Sequence, residues 1–119
     1  MSDCIFCKIV KGEIPGQIVY QNNKVTAFRD INPKAPTHNL IVPNSHIDPK
    51  DDLKYEDVEV MADILLAAKE VARIENVNQR GFRLLINAGA DAGQEVDHLH
   101  VHLFGGKKLG PMLGEEKRY

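Results

Sequence analysis

The spacing of apolar positions along the chain changes several times, and each change marks an element. Ile5, Phe6, Ile9 and Val10 recur at helical spacing and predict a short helix, ended by Gly12 and the Pro15-Gly16 pair. Ile18-Val19-Tyr20 and Val25-Thr26-Ala27-Phe28 are β-runs on either side of the polar Gln21-Asn22-Asn23-Lys24, the pattern of a hairpin. Pro33 and Pro36 fix φ and push Asn32 and Ala35 away from helix, so 30–36 is a loop. His38 to Pro43 is a third β-run. From about Tyr55 to Ile74 the period lengthens: Val58, Met61, Ile64, Leu65, Ala68, Val71 and Ala72 form one face of a long helix. Glu56 and Asp57 suit its N-terminal dipole and Arg73 its C-terminal end. Phe82 to Asn87 and His98 to Phe104 are two further strands, separated by a loop containing Gly89 and Gly93. The stretch from Gly105 to Tyr119 has little regular pattern. Elements in this order predict an α+β class: an antiparallel five-stranded sheet with one long helix on a face and a short N-terminal helix. No repeat or linker divides the chain, so 1–119 is expected to be a single domain.

Composition narrows the function. The chain has 119 residues, 43% of them hydrophobic, ordinary for one folded core. Fifteen Lys and Arg against seventeen Asp and Glu give a formal net charge of −2. There is no basic excess to displace counterions from a phosphate backbone, so nucleic acid is not an expected partner. No apolar run approaches the roughly 20 residues of a membrane span, so no membrane association is expected. Met1-Ser2-Asp3-Cys4 lacks the basic and apolar regions of a secretory signal. Cys4 and Cys7, three positions apart, cannot staple a long loop, and a reducing cytoplasm is the expected location.

The chemistry concentrates in His98-Leu99-His100-Val101-His102-Leu103-Phe104. On a strand, successive side chains alternate, so His98, His100, His102 and Phe104 share one face and Leu99, Val101 and Leu103 the other. On a helix the same spacing would scatter the imidazoles by about 200° per step. A row of imidazoles suits either a metal site or nucleophilic attack on phosphorus, because imidazole both attacks and leaves well. Upstream, Gly93 permits a turn whose successive N–H groups can cradle an anion, and Asn87 supplies an amide if the last two strands pair.

These residues resemble the histidine triad (HIT) family, and within it the Hint branch of bacterial type. The His-φ-His-φ-His-φ-φ run of 98–104 matches its signature. Phe28-Arg29-Asp30-Ile31-Asn32-Pro33-Lys34-Ala35-Pro36-Thr37-His38 resembles its nucleoside-binding segment. Gly93-Gln94-Glu95-Val96 precedes the triad as in the family, and Leu109-Gly110-Pro111-Met112-Leu113 resembles bacterial Hint tails. The resemblance implies a HIT-like fold and a homodimeric hydrolase. Its activity would be cleavage of the P–N bond of purine nucleoside 5′-phosphoramidates through a nucleotidyl-histidine intermediate, with no cofactor needed for catalysis. It assigns His100 as nucleophile, His102 to the phosphate or bridging atom, and His98 to the support of His100 through the backbone and a hydrogen-bond chain in which His38 takes part. It implies that Asp30 takes the ribose hydroxyls. Ile5, Phe6, Ile9, Phe28, Ile31 and Leu40 would line the purine pocket, and Asn87, Gly93, Gln94, Glu95 and Val96 the phosphate loop. Three positions depart from the commoner family pattern: Glu95 in place of Ser, Asp97 in place of Tyr, and Lys107 in place of Arg. An acid at Asp97 is expected to favour the charged form of a triad histidine.

Cys4-x-x-Cys7 is half of a tetrahedral zinc site. The resemblance completes it with His46 and His98, giving a structural zinc that pins the N-terminal segment to the sheet. Three alternatives stand beside the phosphoramidase: a dinucleoside polyphosphate hydrolase, a nucleotide-binding scaffold, and a metalloenzyme with His98, His100 and His102 as ligands.

Overall fold

The computed structural model describes residues 4–50 and 53–114. Met1–Asp3 and the last five positions of the unpatterned tail lie outside the described residues. The chain forms α1 (Ile5–Val10), β1 (Ile18–Gln21), β2 (Val25–Arg29), β3 (Thr37–Pro43), α2 (Val58–Ile74), β4 (Phe82–Ile86) and β5 (Val101–Gly105). Short 3₁₀ turns precede α2 at Tyr55–Asp57 and occupy Ala90–Ala92. One antiparallel sheet runs in the order β1-β2-β3-β5-β4. The last strand in the chain is therefore inserted between β3 and β4.

Local chemistry explains the joints. Asn22 Oδ1 accepts from the N–H groups of Lys24 and Val25 at 2.8 and 2.9 Å, closing the β1–β2 hairpin. At the other end of α2, Glu75 accepts from Arg29 and from Asn39 Nδ2, tying the helix to β2 and β3. The Arg29 hydrogen bonds hold the Glu75 carboxyl below the usual carboxylate range.

Alternation along the strands divides the side chains between two cores. Val25, Ala27, Ile41, Leu99, Val101 and Leu103 pack under α2 with Ile64, Ala68, Val71 and Ala72. Phe6, Ile9, Phe28, Leu40 and Val42 form a second cluster on the opposite face, where α1 covers part of the sheet. The rest of that face carries the histidines. Two expected positions differ. Val58 and Leu65 are 57% and 56% exposed, while Ala67 is buried. Met61, Ile64, Ala68, Val71 and Ala72 face the core as expected, Ala67 joins them in place of Leu65, and Leu65 and Leu66 are left on the outside of the helix. The 3₁₀ turn also delays the regular helix until Val58.

Candidate active site

The triad strand begins later than its alternation predicts. β5 starts at Val101, and His98 lies in a bend before it. The cause is the end of the neighbours: Ile86 is the last residue of β4, and Leu99 N–H donates to the Ile47 carbonyl instead of joining a ladder. The alternation of side chains nevertheless persists. Leu99, Val101 and Leu103 join the core under α2, while the rings of His100 and His102 lie 5.0 Å apart on the other side.

Hydrogen-bond partners fix the tautomer of each ring. His100 Nδ1 lies 2.7 Å from the His98 carbonyl oxygen. A carbonyl only accepts, so Nδ1 carries the proton and Nε2 keeps its lone pair. The ring is almost fully buried, with Phe6 edge-on at 5.1 Å. His38 Nδ1 accepts from Lys34 N–H at 3.1 Å, so its proton sits on Nε2. That N–H donates to His102 Nδ1 at 3.0 Å, with Asp30 Oδ2 3.5 Å away. His102 Nε2 therefore carries its ring's proton. Phe104 stacks on His102 at 5.5 Å and lies against His38 at 4.2 Å.

The expected chain from His98 through His38 is not what forms. His38 bonds His102, and the His98 ring turns to the cysteines, while the expected backbone support of His100 by His98 does form, through the His98 carbonyl. Nor is Asp97 among the charges that act on His98 or His102. Burial lowers His98, and burial, followed by the charges of His100 and His38, holds His102 down at about 4. His38 is also lowered by burial, against the pull of Asp30.

A cavity of about 270 Å³ opens over these rings. Asp30, Lys34 and His38 wall it on one side. His100, His102 and Phe104 form its floor. Leu85, Asn87, Gly93 and Glu95 wall it on the β4 side. The glycine turn works differently from expectation. Gly93 is left-handed at φ 84, but its N–H donates to Ala90 O and that of Gln94 to Gly89 O, so neither cradles an anion. The Gln94 side chain is likewise engaged, with Gly89 N–H, the Val96 carbonyl and Asp48. Asn87, Lys34 and His102 bring polar side chains to the cavity lining. Phe6, Ile9, Phe28 and Leu40 are buried in the second cluster with Val96 packed against it. Ile5 is half exposed, and Ile31 is 88% exposed. Lys34 was not legible as a site residue, because its effect on His38 runs through a backbone N–H whose direction the loop sets.

Cys4, Cys7, His46 and His98 place one donor atom each within 4.8 Å of one another. His98 Nε2 donates to the Pro43 carbonyl at 3.0 Å, leaving the Nδ1 lone pair facing Cys4 Sγ at 3.3 Å and Cys7 Sγ at 3.5 Å. His46 Nδ1 is 3.4 Å from Cys7 Sγ. One lone pair aimed between two sulfurs, with its ring held from behind by a carbonyl, is the arrangement of a tetrahedral metal ligand. The S···N separations also agree with the edge of about 3.5 Å that ordinary Zn–S and Zn–N bonds give a tetrahedron. The donor set therefore fits zinc. A second group, Asp30, His38 and His102, also converges within 4.8 Å. There the His38 proton on Nε2 occupies the position a metal would need.

The depressed histidines set a pH dependence of stability. His102 titrates near 4 when folded and near its ordinary 6.5 when unfolded. The unfolded chain thus binds more protons in that window, and stability falls as pH drops through it, by at most about 3 kcal/mol from this ring. Melting temperature is expected to fall by several degrees between pH 7.5 and pH 5, and by less in His102→Gln. A temperature unchanged over that range would contradict the burial of these rings as neutral imidazoles.

The pattern of the HIT domain matches residues 11–109. The chain is 46% identical over 114 residues to the purine nucleoside phosphoramidase of Escherichia coli (strain K12), covering 96% of each protein. It is 46% identical over 114 residues to a 14 kDa zinc-binding protein of Zea mays, covering 91% of this chain and 85% of that one. Among solved structures, a HIT family hydrolase from Legionella pneumophila Philadelphia 1 superposes with a TM-score of 0.90 at 45% identity, covering 94% of this chain and all of the other.

Proposed function

The chain belongs to the HIT family, and from that premise we propose that it is a purine nucleoside phosphoramidase. The observation that carries this is the 2.7 Å bond from His100 Nδ1 to the His98 carbonyl, which leaves Nε2 as a nucleophile at the floor of the cavity. Asp30, beside the cavity, offers two carboxylate oxygens suited to the ribose hydroxyls. The base lies toward the second cluster, with Ile5 and Ile31 as its exposed apolar contacts and Phe6, Ile9, Phe28 and Leu40 beneath them. Asn87 and the loop of Gly93, Gln94, Glu95 and Val96 border the phosphate, with Asn87 the direct donor.

The reaction proceeds in two displacements. His100 Nε2 attacks the α-phosphorus, a P–N bond to the imidazole forms, and the substrate P–N bond breaks with its electron pair on nitrogen. A bound phosphoryl anion favours the imidazolium of His102 against the burial that disfavours it. His102 takes up this second proton from solvent at Nδ1 as substrate binds, and His38 keeps its own proton, turning its Nε2–H hydrogen bond from His102 to Asp30 Oδ2. His102 Nε2–H protonates the departing amine. In the second step the same Nε2 takes a proton from water, whose oxygen attacks phosphorus, and the bond to His100 breaks to release nucleoside monophosphate.

Cys4, Cys7, His46 and His98 would hold a structural zinc, whose chemistry is to fix α1 and the His98 bend together. A homodimer is supported by the outward Leu65 and Leu66 on α2 and by β4, an edge strand bearing the exposed Phe82 and Ile86. No helix among the described residues is long and apolar enough to cross a membrane. A cytoplasmic location rests on the cysteines being available as ligands.

The test is comparative turnover. An adenosine 5′-phosphoramidate is expected to be hydrolysed at least about a hundredfold faster, by kcat/KM, than a diadenosine polyphosphate. The reverse preference would assign the chain to polyphosphate hydrolysis.

A further inference from the structure

We propose that Glu95 sets the leaving-group preference of this enzyme by charge. Its carboxylate favours departing amines that carry a second positive charge and disfavours departing groups that carry negative charge. The inference rests on the phosphoramidase function and adds to it the class of amine.

Sheet order separates the two ends of the substrate. Asp30 follows β2, whereas Asn87 follows β4 and Glu95 lies in the loop from β4 to β5. Because β3 and β5 lie between β2 and β4, these residues face each other across the cavity. With the ribose at Asp30 and phosphorus over His100, the group beyond phosphorus is left with the β4 side. That wall consists of Leu85, Asn87, Gly93 and Glu95, of which Glu95 alone is charged. The cation lining the cavity, Lys34, is on the ribose side with Asp30.

The charge stands without an ion-pair partner on its own loop. No cation pairs with Glu95 among the described residues. The segment from Gly89 to Asp97 holds Asp91, Glu95 and Asp97 and no Lys or Arg. On the β4 wall a leaving group therefore meets a negative charge first, with Lys34 on the opposite wall and the Lys50 side chain back beside Gly89. Glu95 is exposed, so water moderates its effect to about tenfold in rate at contact range, and salt weakens it. A second nucleotide, departing as an anionic phosphate, meets the same repulsion.

The test uses three adenosine 5′-phosphoramidates whose amines match in length and basicity but end in an ammonium, a neutral amide or a carboxylate. The quantity read is the ratio of kcat/KM for the ammonium substrate to that for the carboxylate substrate. The wild-type ratio is expected to be about ten or more and to shrink as salt rises from about 20 mM to about 500 mM. E95Q lowers the ratio about tenfold, E95K inverts it, and E95D retains it. A purely structural role in the loop would slow all three substrates alike and leave the ratio where it was, which overturns the proposal. Hydrolysis of all three by wild type without charge preference also overturns it while leaving the phosphoramidase function intact. Failure of wild type to hydrolyse any of them overturns that function and the proposal together.

Discussion

Replacing His100 with alanine lowers turnover of an adenosine phosphoramidate by about four orders of magnitude or more, while AMP still binds. Without an imidazole at 100, the P–N bond must be broken by water directly, and nothing else at the cavity floor can stand in. His102 presents an N–H, because His38 occupies its Nδ1 with a proton fixed in place by Lys34 N–H. The His98 ring is fully buried, with one nitrogen on Pro43 and the other on the cysteines. Binding persists because Asp30, Asn87 and the apolar cluster are unaffected by truncation at 100. AMP affinity, read by calorimetry, is expected to change by less than about tenfold. A variant that keeps a tenth of wild-type turnover would remove His100 as nucleophile.

The second large effect is on stability. Elemental analysis is expected to find one zinc per chain, lost in Cys4→Ser/Cys7→Ser. Stripping the metal with a strong chelator, or making the double substitution, is expected to lower stability by about 3 kcal/mol, about 10 °C in Tm at this length. The reason is the position of α1, six residues long and too short to be stable alone. Phe6 and Ile9 of α1 sit in the second cluster, and Phe6 touches Phe28, His98 and His100. A tie between Cys4, Cys7, His46 and His98 holds that helix against the sheet, and its loss frees the cover over His100. A metal-free protein of unchanged Tm would show that packing alone seats α1.

Much of this architecture was legible from periodicity. The hairpin, the third strand and the long helix each announce themselves by a change of spacing, and the alternation of 98–104 places three imidazoles opposite three core residues. What periodicity could not give depends on distant partners. β5 begins at Val101 because β4 ends at Ile86 and Ile47 captures Leu99 N–H, facts of pairing and not of local pattern. The edge of the α2 stripe also escaped, because Ala67, small and unremarkable in sequence, is buried in the core, whereas Leu65 is more than half exposed. The pairing of His38 with His102 joins residues 64 apart, and the proton order that makes it useful comes from a loop N–H at Lys34. Cys4 and Cys7 suggested half of a metal site by spacing alone, and the resemblance supplied His46 and His98. The fold brings all four donors together.

The most direct measurement is to mix the enzyme with an adenosine 5′-phosphoramidate, quench within the first turnover, and map the labelled peptide by mass spectrometry. An AMP adduct on the imidazole of His100, formed and lost at rates compatible with turnover, is the predicted result. An adduct on His102, on His38 or on a cysteine, or single-turnover release of AMP with no adduct at any time, would contradict it.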